Sequence, residues 1–261
     1  MNHKFKTDPK NFWKFLRWLN VIPKASDFPD NFGSPDEFNS VFIGNGSAVD
    51  EPNDYITQTY ENTLFSDLIT SFRFYEVGHE LVEKMLFGVK SSAVGPDKIN
   101  LKRLLYTIPT LTPYFTFLLN KCLTSGTFPQ AWKSAFVLPI SKKSNTSNIN
   151  DFQPISLLPT LSKILEKIVA DQVSAFLSIN LILPVNQSGF RPNHSTTSAL
   201  LKVTDDIFSA WDSKQNTCLV LLDYSKAFDT QSHQTLCKKL RYFGFGDVAV
   251  SFFRDYVFKR S

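Results

Sequence analysis

The sequence holds three cysteines, Cys122, Cys218 and Cys237, and no two of them stand at Cys-x-x-Cys spacing. None of the four histidines, His3, His79, His194 and His233, lies at zinc-ligand spacing to them. A zinc module and a disulfide framework are therefore excluded, and the thiols are expected to be reduced and buried. No run of about 18 apolar residues occurs, so no membrane-spanning helix is predicted. The polar, basic start, Met1 to Lys10, lacks the apolar stretch of a secretory leader, which predicts a location inside the cell, in cytoplasm or nucleus, with no membrane partner. Glycine is scarce (10 residues) beside proline (14), which excludes a collagenous or low-complexity chain. No internal repeat is present.

What the chain has is apolar material and unevenly placed charge. Of 261 residues 43% are hydrophobic and 25 are phenylalanine, ample for a core. Net charge is +4, divided as about +5 over residues 1–24, about −9 over 25–76 and about +8 over 77–261. The basic last two-thirds suits a polyanionic partner, although a solvated basic surface would read the same way.

Periodicity predicts the elements. Phe12, Trp13, Phe15, Leu16 and Leu19 recur at helical spacing among Lys10, Lys14 and Arg17. Residues 25–54 read as a loop or linker, and residues 55–90 hold two or three weaker helical stretches. After a turn at Ser91–Lys98, one helical pattern runs through Leu101, Leu104 and Leu105, and a second apolar run from Phe115 to Leu123 stops at Ser125-Gly126. A strand is expected within 132–140 and a polar loop over 141–151. A long helix follows over 159–178, with Leu161, Ile164, Leu165, Ile168 and Val169 on one stripe. Further helices are predicted over 195–211, 232–243 and 247–258. The apolar run Thr217 to Asp223 reads as a buried strand that ends in a carboxylate.

That carboxylate is the sharpest chemical feature. A charge at the end of a buried strand needs a partner, because desolvating it costs several kcal/mol. Mg²⁺ takes one or two carboxylates together with phosphate oxygens and water, so Asp223 is a candidate metal ligand. From the pattern alone it fits a cap on the following turn equally well. A phosphoaspartate enzyme would place a second acid two residues on, where this chain has Ser225.

Asp223-Tyr-Ser-Lys-Ala-Phe228-Asp229 resembles the first palm motif of reverse transcriptases from non-LTR (LINE-type, jockey-like) retrotransposons. The resemblance extends from about Ser91 onward. It takes in the turn Gly95-Pro96-Asp97, the stretch from Trp132 to Lys142-Lys143, Asp151-Phe-Gln153-Pro154-Ile155 with the helix after it, Asn186 to His194, and Phe253 to Arg260. It implies an α+β fold: the fingers and a partial palm of a right-hand polymerase over residues 91–261, incomplete at the C-terminus, behind a mostly helical extension over 1–90. It implies a nucleotidyltransferase, an RNA-directed DNA polymerase acting in retrotransposition on an RNA template, a DNA primer and dNTP with Mg²⁺. Asp223 would be the catalytic metal ligand and Phe228 the gate against a ribose 2′-hydroxyl. Lys142 or Lys143 would meet the triphosphate. Tyr224 and Arg191 would touch nucleotide or template. Asp229 would have a supporting role.

The chain also departs from the family. Gln153 stands where Arg is usual before Pro-Ile-Ser, and Gln231-Ser232 where Val-Asp is common. The Ala-Asp-Asp hairpin that supplies the remaining carboxylates has no counterpart before Ser261, so the chain is expected to be a truncated, inactive fragment. The alternative is a nucleic-acid-binding remnant without chemistry. With no neighbouring strands for 217–223, poor solubility is also expected.

Overall fold

The computed structural model describes residues 34–44, 71–90, 93–142, 148–224, 227–228 and 231–258. The expected amphipathic stretch at 12–19 and any helices within 55–70 lie outside these residues. The chain is a mixture of helices and one small sheet, divided into two units: residues 1–47 with 137–156, and residues 48–136 with 157–261.

In the first unit, helix α1 (Pro35–Gly44) occupies part of the expected loop 25–54, which is a correction to the sequence reading. Its start follows ordinary capping chemistry: the Ser34 hydroxyl accepts the Glu37 N–H at 3.3 Å, Pro35 opens the helix, and Asp36 and Glu37 sit in the first turn. Phe38 is buried and meets the Phe152 ring edge-on, with centroids 5.2 Å apart. Strands β1 (Phe136–Ser141) and β2 (Phe152–Leu157) pair into a two-stranded sheet. The Lys142 N–H donates to the Asp151 carbonyl at 2.9 Å and continues the ladder past β1.

The second unit is helical: α2 (His79–Gly88), α3 (Leu101–Ser125), α4 (Thr160–Ile179), α5 (Thr196–Asp212), α6 (His233–Tyr242) and α7 (Asp247–Val257). Its core joins Val82 and Leu86 of α2, Leu119 and Leu123 of α3, Ile164, Leu165 and Ile168 of α4, and Phe252 of α7. The stripe foreseen on α4 is the buried one. The two stretches expected around 101–105 and 115–123 are instead one helix, α3, which carries Pro109 and Pro113 inside it. An interior proline removes a hydrogen bond and costs about 3 kcal/mol, which argues locally for two pieces. Burial of Leu104, Ile108, Leu119 and Leu123 in a single core holds them as one.

Two glycines are required by close packing. Gly126 caps α3 at φ +65°, and a β-carbon there would lie 2.5 Å from the Val248 carbonyl oxygen. Gly95 opens the turn before α3, and a β-carbon there would lie 2.5 Å from the Pro159 nitrogen.

Among the described residues, 71–78 have no long strand partner, and two side-chain amides stand in for one. Asn120 Oδ1 accepts the Val77 N–H at 2.8 Å while its Nδ2 donates to the Val77 carbonyl at 3.0 Å. Gln172 does the same to Tyr75, at 3.1 and 2.9 Å. Farther up, Phe72 and Phe245 form a parallel bridge. A backbone amide taken from water must find a partner, and these side chains provide it.

The expected strand 217–223 does not form. The segment carries no assigned secondary structure and no ladder, and Leu221 is 83% exposed. A strand is held by bonds to a neighbour, and no strand among the described residues runs beside it. Cys218 is carried outward with the segment, correcting the expectation that all three thiols are buried, whereas Cys122 and Cys237 are buried.

Candidate active site

Asp223 stands on the segment 217–224 that follows α5, and one ring contact joins the turn after it to the loop before α5. Helix α5 begins with a capping box, in which the Ser195 hydroxyl accepts the Ser198 N–H (3.1 Å) and the Ser198 hydroxyl accepts the Ser195 N–H (2.9 Å). It ends at Asp212, and five residues later the chain enters the segment 217–224. Asp223 is exposed, and no side chain among the described residues bonds to it. Tyr224 is exposed as well. Asp229 lies outside the described residues.

Phe228 is 80% exposed and is not a core residue. It meets Phe190 edge-on, centroids 6.0 Å apart at 88°. The contact brings the loop before α5 to the turn after Asp223, a pairing that the motif comparison in sequence did not single out. Phe190 adopts φ +59°, a left-handed conformation that a bulky residue takes only under constraint, and Asn193 adopts φ +62°. Arg191 supplies the constraint. Its Nη1 donates to the Pro184 carbonyl at 3.0 Å and lies 3.3 Å from the Gln187 carbonyl, while Gln187 Nε2 donates to the Gly189 carbonyl at 3.2 Å. Arg191 is thus partly spent on bracing its own loop. A guanidinium has five N–H donors, so it keeps others for a phosphate.

The loop lysines lie in the other unit. Lys142 follows β1 with its side chain exposed, and Lys143 lies outside the described residues. Among the described residues no group of three His, Cys, Asp or Glu side chains could hold a metal ion. No helix among them is long and apolar enough to cross a membrane.

One ion pair ties Lys133 to α7. The Lys133 ammonium reaches Asp255 Oδ1 on α7 at 2.5 Å, and Asp255 Oδ2 accepts the Phe128 N–H at 2.7 Å. Partial burial pushes the Asp255 carboxyl up. The Lys133 hydrogen bond, the Phe128 N–H and the Lys133 charge together outweigh it and hold the group below its ordinary value. Nearby, an open apolar cavity of about 200 Å³ lies between α4 and α7, with Glu166 and Tyr256 at its edge.

Comparison with known proteins gives this geometry its context. The family described as reverse transcriptase (RNA-dependent DNA polymerase) matches residues 140–259, a span that encloses Asp223 and Phe228. The probable RNA-directed DNA polymerase from transposon BS of Drosophila melanogaster is 34% identical over 129 residues, 49% of this chain and 14% of that protein. The RNA-directed DNA polymerase from mobile element jockey of the same fly is 32% identical over 129 residues, again 49% and 14%. The probable polymerase from transposon X-element, also of Drosophila melanogaster, is 28% identical over 207 residues, 79% of this chain and 22% of that protein. The chain thus spans less than a quarter of the length of these relatives. Over residues 140–259 the chain is thus similar to the reverse transcriptase (RNA-dependent DNA polymerase) family, and the relatives it resembles are jockey-like non-LTR retrotransposon polymerases.

Proposed function

We propose that residues 91–261 are the fingers and the first palm segment of a right-hand polymerase that copies RNA into DNA in retrotransposition, with residues 1–90 as a partly helical extension. The observation that carries this reading is the family match over 140–259, which encloses the segment from Asp223 to Phe228. In this reading RNA template, DNA primer and dNTP are the partners.

Asp223 is the metal ligand. Its carboxylate is exposed and unspent, which fits one ligand position of a Mg²⁺ ion that completes its shell with phosphate oxygens and water. Bound there, the ion would stabilise charge on a phosphoryl oxygen. Two-ion catalysis calls for several carboxylates around a pair of ions about 3.5–4 Å apart, and among the described residues no three His, Cys, Asp or Glu side chains come together to hold a metal ion. The chain by itself is therefore proposed to bind substrate without turning it over.

The other residues act by position and charge. Phe228 presents a flat ring with no hydrogen-bonding group, so a ribose 2′-hydroxyl placed against it would lose its water and gain nothing. Tyr224, also exposed, offers a ring face and a hydroxyl. Lys142 or Lys143 would neutralise triphosphate, and Arg191 would use its remaining donors on a template or nucleotide phosphate. Gln153 removes a charge from this set.

The test has two arms. The purified 261-residue chain should bind a primed RNA template with an affinity whose logarithm falls linearly with the logarithm of salt. It should incorporate no dNTP above the level of Asp223→Ala. Salt-independent binding or none would refute the polynucleotide reading. Incorporation above that background would refute the single-carboxylate reading. In a chimera that carries residues 140–259 in place of the matching stretch of the jockey polymerase, extension should be measurable and lost with Asp223→Ala.

A further inference from the structure

The C-terminal end of α5 holds a second feature that the polymerase reading does not use. A cavity of about 460 Å³ lies there, lined by Ile207, Trp211, Lys214, Gln215, Asn216 and Thr217. That volume is in the range of small-molecule sites, about 300–1,000 Å³. Its walls combine one large aromatic face with polar side chains. Trp211 is 74% exposed, and no ring contact or side-chain hydrogen bond among the described residues engages it. The side chains of Lys214, Gln215 and Asn216 are exposed and likewise have no bonding partner there. No carboxylate is among the lining residues.

The turn that presents these groups is firmly built. The Lys214 N–H donates to the Trp211 carbonyl and the Gln215 N–H to the Ala210 carbonyl, both at 2.8 Å. Lys214 itself sits at φ +55°, which the two bonds hold in place. The helix end is thereby closed, and the unspent groups are side chains facing the cavity rather than loose backbone.

We infer that this cavity binds a nucleotide, with its base stacked on Trp211 and its phosphate on Lys214. An exposed indole offers a flat surface that every nucleobase can stack on, whatever its identity. The amides of Gln215 and Asn216 each carry a donor and an acceptor, the combination that matches the edge of a base such as adenine. The carboxyl end of a helix is mildly negative, so the phosphate is drawn to the full charge of Lys214 while the neutral base covers the helix end. The same chemistry could come from a free mononucleotide or from one unit of a single strand. The site does not use Asp223, and the inference stands or falls apart from the metal reading.

Tryptophan fluorescence of the 261-residue chain, titrated with AMP and separately with an eight-residue oligoadenylate, tests it. Both should quench emission, and the quenching should disappear in Trp211→Ala while Trp13, Trp18 and Trp132 still report. By anisotropy of a labelled oligoadenylate, Trp211→Ala should weaken binding about ten- to a hundredfold. Lys214→Gln should lower the salt slope by about one. Tighter binding of the oligomer than of AMP assigns the site to a strand, and equal binding assigns it to a free nucleotide. Because Trp211 is exposed, Trp211→Ala should keep the far-ultraviolet circular dichroism of the parent. If Trp211→Ala binds both probes as the parent does, the inference is wrong.

Discussion

Removing either partner of the Lys133–Asp255 pair should cost stability unequally, and the asymmetry follows from burial. The Lys133 side chain is 4% exposed and that of Asp255 is 37% exposed. Asp255→Asn leaves a buried ammonium without its counter-charge and weakens the acceptor for the Phe128 N–H. Breaking a fully buried pair costs about 3–5 kcal/mol. With Asp255 reachable by water, the loss should be smaller, about 2–3 kcal/mol. Lys133→Met removes the buried charge itself and keeps most of the packing volume. The remaining carboxylate can hydrate and still accept the Phe128 N–H, so the loss should be about 1 kcal/mol or less. The double variant should be less damaged than Asp255→Asn alone, a coupling that a double-mutant cycle measures. Urea unfolding followed by circular dichroism, at equal slope, gives all four values. The sign with pH is set by the depressed carboxyl. Its contribution is present above the ordinary carboxylate range and is lost as pH falls through the lower folded value. The gap between parent and Asp255→Asn should therefore hold at neutral pH and shrink only in acid. A larger loss for Lys133→Met than for Asp255→Asn, or a gap that closes on going to alkaline pH, would refute the argument.

Gln172→Leu should destabilise by about 1–3 kcal/mol, because it leaves both backbone groups of Tyr75 without partners, and Asn120→Leu should do the same through Val77. Hydrogen exchange should then rise at residues 72–78 before it rises elsewhere. Gly126→Ala should cost several kcal/mol, since it combines strain at φ +65° with a clash against backbone, whereas Gly88→Ala meets open space and should change little. Of the three thiols, Cys218 should react with an aromatic disulfide reagent near pH 8, while Cys122, pushed up to about 11 by burial, and buried Cys237 react only after urea is added. Asp223→Ala should leave the urea midpoint unchanged, because the side chain is exposed and makes no bond among the described residues.

Local pattern carried most of the helices. The stripe on α4, the stop at Gly126 and the starts at Ser195 and Ser232 are short-range features: a period of 3.6 residues, a left-handed cap and a hydroxyl that accepts an N–H two or three residues on. The motif from Asp223 to Phe228 was legible for the same reason, since its spacing is a property of one short segment. The start of α1 at Ser34-Pro35 was equally local, and the Pro, Asp and Asn around it concealed it.

Other features depend on what lies far away in the chain. The single run of α3 through two prolines is held by contacts with α2, α4 and α7, which no window of sequence contains. The amide pairs of Asn120 with Val77 and Gln172 with Tyr75 join residues 43 and 97 positions apart. The edge contact of Phe190 with Phe228 depends on a loop braced by Arg191. For Thr217 to Asp223, composition set the apolar character. Whether such a segment becomes a buried strand is decided by a neighbour that bonds its backbone and covers its side chains, and among the described residues none does. The sequence alone determined which residues are fit for a core, a cap or a metal. Tertiary structure decided which of them found a partner, because burial and hydrogen bonding belong to pairs and not to single residues.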